Sequence, residues 1–325
     1  MRFISKLRVY LPDAYICAIL GMVALAAIFP ARGAAAGTVG TATTLAIGLL
    51  FFLYGIRISP QAVWQGLSHW RLQATIFTFT FGVFPLLGLA IFHFARPLLG
   101  TSLATGVLFL CLLPSTVQSS IVFTSIARGN IAGALCAASL SNLVGMFVTP
   151  VLAAVILGLK GGGSVDGAVK IIEQLLAPFL LGQLLRPWLS DLFGRNRHIT
   201  GLVDRGSILL VVYSAFSESV VAGLWHQLHP AALIALLIVN IALLATVMIG
   251  TALASRVLGF SREDRIAIVF CGSKKSLASG VPMANILFPA ATVGVIVVPI
   301  MLFHQIQLMA CAALARRYAK EVEGK

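Results

Sequence analysis

The chain has 325 residues, 59% hydrophobic and only 10% charged, with a formal net charge of +13. A soluble domain carries about 25% charged residues, so this sequence lacks the polar surface that a water-soluble fold needs. The positive balance does not point to nucleic acid either. Nearly all the basic residues lie in short links between apolar runs, not on one soluble face with interleaved aromatics.

The apolar runs recur at the roughly 17 to 25 residues that cross a bilayer as a helix. None shows the short alternation of a barrel strand, so the class is an all-α polytopic membrane protein. In chain order the first half predicts five spans: Asp13–Phe29, Ala42–Ile58, Leu72–Phe92, Ala104–Ala127 and Ile131–Leu159. The second half predicts five more: Ala168–Trp188, Gly206–Trp225, Ala231–Ala254, Arg265–Phe288 and Ala290–Arg316. Links between them are short, and Gly, Pro and charge mark their ends. The first run follows Arg2, Lys6 and Arg8 and precedes "ARGAAAG", which imitates a signal-peptide cleavage site; an even count of ten favours a retained span.

With ten spans both termini share one side. Seventeen of the 23 basic residues fall on that side and only Arg32, Arg96, Lys160 and Lys170 on the other. This asymmetry predicts cytoplasmic termini in a plasma membrane of bacterial inner-membrane type. Trp64, Trp70, Trp188 and Trp225 sit at the predicted rims, where tryptophan anchors a span at headgroup level. The cysteines Cys17, Cys111, Cys136, Cys271 and Cys311 all lie in apolar runs without metal-type spacing, and the histidines form no HxxxH or HExxH pattern. Ser261 with Asp264 reads as a helix cap, Glu173 and Gln174 as first-turn residues of the sixth span, and "LKGGGSVDG" as a flexible loop without the lysine-serine pair of a phosphate loop.

Ten spans divide into residues 1–159 and 160–325, five spans each, and an odd-numbered repeat re-enters the membrane inverted. The fourth and ninth spans then correspond, and both are interrupted. The fourth, "LFLCLLPSTVQSSIVFTSIARGN", places Pro114 before Ser115, Thr116, Gln118, Ser119 and Ser120. The ninth, "IAIVFCGSKKSLASGVP", places Gly272 before Ser273, Lys274, Lys275 and Ser276. A break frees backbone groups that only protein or a water-filled cavity can satisfy, so matching breaks at mid-depth point to a transport site. The plainer alternative is a pair of kinks satisfied by serine hydroxyls.

This arrangement resembles the bile acid:sodium symporter superfamily, and "LLPSTVQSSIVFTSIARGN" with "SLSNLVGMFVTP" looks most like its sodium/bile acid cotransporter 7-like branch. The resemblance implies two inverted five-helix repeats whose broken fourth and ninth helices cross. It also implies a panel of spans one, two, six and seven beside a core bundle. In sodium-coupled members the cation ligands come from the fourth, fifth and ninth helices, with a glutamine from the third. Carried over, Ser119 and Ser120 match the fourth-helix pair, and Ser139, Ser141 and Asn142 the fifth-helix polar positions. The ligand Glu of the ninth helix falls near Phe270 and its Gln at Lys274; the third-helix Gln falls near Thr80.

A carboxylate is thus replaced by positive charge. Two unit charges about 4 Å apart at intermediate dielectric repel by about 4 kcal/mol, which argues against an ordinary sodium pair beside a charged lysine. One lysine is expected to act as a tethered cation in the place of sodium, the other to meet an anionic substrate or carry a proton. Glu218, in "VVYSAFSESVV", lies at a similar depth and is the candidate partner; a purely structural Lys–Glu pair is the alternative. His304, Gln305 and Gln307 read as inter-helix hydrogen-bonding groups.

The expectation is a secondary transporter with alternating access, moving a small organic anion without a cofactor, coupled to sodium, to a proton or to neither. No ATP-binding motif is present. An intramembrane lipid-modifying enzyme would need a convergent acid/base or metal set, which the sequence lacks. A membrane regulator without transport, for example of calcium handling, is the other rival that the resemblance allows.

Overall fold

The structure, a computed structural model, describes residues 14–57, 69–158, 176–195, 197–223 and 229–323. Among them every regular element is helical, as expected where hydrocarbon can satisfy no backbone group and each segment must bond internally. The first half contains α1 (Ala14–Ile28), α2 (Ala34–Arg57) and α3 (Trp70–Thr78). One π turn, Phe79–Val83, carries α3 into α4 (Phe84–Leu99). Then come α5 (Thr101–Leu112), α6 (Gln118–Ile126) and α7 (Ile131–Leu157). The second half contains α8 (Ala177–Arg195), α9 (Arg197–Val221), α10 (Pro230–Val257), α11 (Arg262–Gly272), α12 (Leu277–Leu287) and α13 (Ala290–Glu323).

Among the described residues five continuous helices are each long and apolar enough to cross a membrane: α2, the run from Trp70 to Leu99, α7, α10 and α13. Large side chains such as Leu86, Phe94, Val155, Leu184, Ile234 and Val257 face outward, a surface suited to lipid. The chain is a multi-pass membrane protein.

Several helices outrun the apolar stretches from which they were predicted. α2 begins at Ala34, not Ala42, because Thr38, Thr41 and Thr44 each return their hydroxyl to the carbonyl four residues back, so the polar side chains are satisfied inside the helix. α9 begins at Arg197, not Gly206, and α13 continues past Arg316 through an exposed Arg317–Glu321 pair 3.5 Å apart. Hydropathy marks the thickness of the bilayer, whereas helix length follows hydrogen bonding. α11 opens at Arg262 on the expected cap, with Ser261 Oγ accepting the Asp264 N–H. The "LKGGGSVDG" loop, Glu173 and Gln174 lie outside the described residues.

α1, α2, α8 and α9 pack on one another, and α9 reaches α12 and α13. Backbone meets backbone where Gly55 of α2 faces Gly182 of α8; a methyl on either would collide with a carbonyl of the other helix. α4 pairs with α5, which lies against α13, and α11 packs on α3, α6, α7 and α10. At one rim Asn130 caps α7 by accepting the Gly133 N–H and donates to Asp264 Oδ1 at 2.7 Å. Arg262 reaches the Tyr318 carbonyl at 2.6 Å, so the entrance to α11 is tied to both α7 and α13. These ties hold the two interrupted segments, α5–α6 and α11–α12, side by side.

Candidate functional site

Pro114 has no N–H, so α5 ends at Leu112 and its last carbonyls need partners from elsewhere. Each finds one. The Leu112 carbonyl accepts from Thr149 Oγ1 at 2.8 Å, and the Cys111 and Leu113 carbonyls accept from Lys275 Nζ at 2.8 and 2.7 Å. The Pro114 carbonyl accepts from the Ser276 N–H at 2.9 Å, and the Ser115 carbonyl from Asn142 Nδ2 at 2.7 Å. α7 can approach the break because Gly145 faces Pro114; a methyl at that glycine would stand 2.6 Å from the proline Cβ.

The break after α11 is closed by the reverse traffic. Ser120 Oγ donates to the Phe270 carbonyl at 3.0 Å and Ser115 Oγ to the Cys271 carbonyl at 2.6 Å. Ser273 turns its own hydroxyl back to the Val269 carbonyl. Gln307 of α13 then grips the loop like a missing strand: its Oε1 accepts the Lys275 N–H and its Nε2 donates to the Lys275 carbonyl, both at 3.0 Å. α12 restarts on Ser276, whose Oγ accepts the Ser279 N–H. Each interrupted segment therefore satisfies the carbonyl end of the other.

The two lysines are 0% and 1% exposed and have different surroundings. Lys275 Nζ also takes the Thr80 carbonyl at 2.8 Å. That carbonyl is free for a local reason. The Phe84 N–H bonds to Phe79 across the π turn, and the next residue, Pro85, has no N–H to offer. Three N–H donors of one ammonium thus meet three carbonyls, with the Phe84 ring face 4.1 Å away. Lys274 Nζ has a single oxygen contact, Ser119 Oγ at 3.4 Å, and otherwise faces the rings of Phe123 at 4.3 Å and Phe270 at 5.5 Å. Among the described residues no carboxylate lies within 4 Å of either ammonium.

Most of the sequence-predicted residues converge here. Thr116 Oγ1 shares hydrogen bonds with Ser119 and Ser120, Ser141 Oγ accepts the Ser115 N–H, and Ser279 Oγ donates to Asn142 Oδ1. Ser273, Lys274, Lys275 and Ser276 form the facing loop. Three predicted residues do not join. Gln118 is exposed, Ser139 is half-buried outside this network, and Glu218 is on α9 with Ser214 as its hydrogen-bond donor at 3.4 Å. The structure does not bring Glu218 to either lysine, because similar depth on two helices says nothing of which faces meet.

Sequence reasoning placed Gln307 correctly as an inter-helix hydrogen-bonding group but missed that its amide closes the ninth-span break. It also overlooked the ring faces of Phe84 and Phe123. Pro85 after "FTFGVF" was the available signal for the first ring, since a proline inside an apolar run always leaves a carbonyl to be claimed. A sodium ion with a carboxylate ligand does not fit these residues: the carbonyls that a hard cation would need are held by an ammonium, and among the described residues no acid is at hand.

The chain is similar along almost its full length to proteins of the same kind. Residues 13–320 match the SBF-like CPA transporter family. The chain is 51% identical to uncharacterized protein PA2026 of Pseudomonas aeruginosa and 48% identical to putative symporter YfeH of Escherichia coli, in each case over 96% of this chain and 94% of the relative. It is 29% identical to mouse sodium/bile acid cotransporter 7, over 83% of this chain and 80% of that protein. With helix breaks, apolar exterior and sequence in agreement, this chain belongs to the SBF-like CPA transporter family, the membrane transporters of the bile acid:sodium symporter kind.

Proposed function

We propose that this chain is a secondary transporter that carries a small organic anion across a bacterial-type plasma membrane by alternating access, without an obligatory sodium ion. Ten spans in two inverted repeats, residues 1–159 and 160–325, with both termini in the cytoplasm, supply the scaffold. α1, α2, α8 and α9 form the panel, and the remaining helices form the core that rocks against it. The anion binds where the two breaks cross, among Thr116, Ser119, Ser120, Ser141, Asn142, Ser273 and Ser276, with the lysine ammoniums as the fixed positive charge.

The observation that carries this reading is the reciprocal closure of the two breaks around two buried ammoniums. Burying charge in the membrane interior is expensive, and a merely structural kink needs only hydroxyls. Positive charge without a carboxylate in hydrogen-bonding range is suited to a ligand that brings the negative charge itself. The names of the relatives, putative symporter and sodium/bile acid cotransporter 7, support an organic solute.

The test is uptake by the purified full chain in proteoliposomes, with a panel of radiolabelled organic anions that includes a bile salt, and with sodium replaced by choline. Uptake above empty vesicles that survives the replacement is the expected result. No uptake of any anion would remove the transporter reading of this site, and a strict sodium requirement would remove the tethered-cation reading.

A further inference from the structure

The two lysines have been treated so far as one pair of charges. We infer that Lys274 is the ammonium that docks the transported anion, while Lys275 is a fixed cation that stays in its carbonyl cage throughout. This division rests on the transporter reading above and assigns its parts.

Hydrogen-bond capacity separates the two side chains. An ammonium has three N–H donors and no acceptor. Those of Lys275 are saturated by Thr80, Cys111 and Leu113 at 2.7–2.8 Å, acceptors that would be orphaned in a dry interior if it left. Lys274 has one oxygen at 3.4 Å and two ring faces. Ring faces hold a cation by about 0.5–2 kcal/mol and can be exchanged for an anion, whose charge-assisted hydrogen bonds are stronger.

The neighbouring backbone favours the same ligand. Lys274 Nζ reaches Ser119, which lies in the first turn of α6, and that turn has no side-chain cap. The restarting helix of the other break, α12, is capped by Ser276, and α7 and α11 are capped by Asn130 and Ser261. The first turn of this nine-residue helix, uncapped and carrying the positive dipole end, holds Ser119, the one oxygen reached by a buried ammonium with donors to spare. A carboxylate or sulfonate placed there completes both. Lys274 parks on Phe123 and Phe270 when the anion is absent.

Reductive methylation tests the division independently of substrate identity. The folded full-length chain in nanodiscs is treated with 13C-formaldehyde and cyanoborohydride, and the peptide carrying both lysines is read by mass spectrometry with exposed Lys320 as standard. Lys274 should take at least about tenfold more label than Lys275, because only its burial is relieved by opening. Added formate, the smallest carboxylate probe, should slow labelling at Lys274 but not at Lys320, relative to matched chloride.

Equal labelling, first labelling of Lys275, an unlabelled Lys274, or no effect of formate would each overturn the assignment. In the uptake assay, K274Q should lose anion uptake while keeping the wild-type melting temperature; wild-type uptake by K274Q would also overturn it. Selective, formate-sensitive labelling with no uptake by the wild type would instead sink the transporter reading and leave the division of the lysines standing.

Discussion

The break after α5 and the break after α11 pose the same problem, freed backbone groups in a dry interior, and meet it with different chemistry. The first is made by Pro114 and closed in part by charge: Lys275 takes two of its carbonyls and a third from the π turn, while Thr149, the Ser276 N–H and Asn142 take the rest. The second is made by Gly272 and closed by neutral groups: Ser115, Ser120, Ser273 and the amide of Gln307. The comparison teaches that the lysine pair does not serve the segment that carries it. Lys275 stabilises the opposite break, and Lys274 is left with little to hold.

This contrast can be broken most sharply at Lys275. K275M leaves three buried carbonyls without donors, each a loss of about 1–3 kcal/mol, so the variant should not accumulate as a monodisperse species. Size-exclusion chromatography of the detergent extract measures this, and a wild-type elution profile would show that the cage is dispensable. Next in size is Q307L, which strips both partners from the Lys275 backbone. A loss of about 2–3 kcal/mol is expected as a lowered melting temperature, and an unchanged one would mean that the loop is held without α13.

Smaller effects sharpen the comparison from the helix starts. S276A removes the α12 cap and should cost about 1 kcal/mol in the same thermal melt. S119A removes the 3.4 Å contact to Lys274 and one of the two hydroxyl partners of Thr116, which keeps Ser120, and should change stability by about 0.5 kcal/mol. A larger cost for S119A than for S276A would reverse the ranking of a tightly held and a loosely held break.

Much of this site was legible in the residue order. Pro114 and Gly272 inside apolar runs, each followed by a polar patch, announced both interruptions, because proline lacks a donor and polar groups in lipid demand partners. Thr116, Ser119 and Ser120 were singled out on the same grounds, Ser141 and Asn142 through the family resemblance, and these five do meet. What was not legible was who answers whom. Ser115 closes a carbonyl 156 positions away, and Gln307 grips a loop from another helix. Glu218 was chosen on depth alone, and its helix turns that side chain towards Ser214. The residues of a single helical turn share nearly one depth but point to every face, so rise along the axis cannot choose a partner.

By itself, then, the residue order determined that the chain lives in lipid and where two of its helices must fail, since hydrophobicity and the missing proline N–H are properties of single residues. Only the tertiary structure decided which of two adjacent lysines is bound and which is loose. Neighbours in sequence share composition and depth but point in different directions, and the acceptors around each come from helices that nothing in the local pattern names.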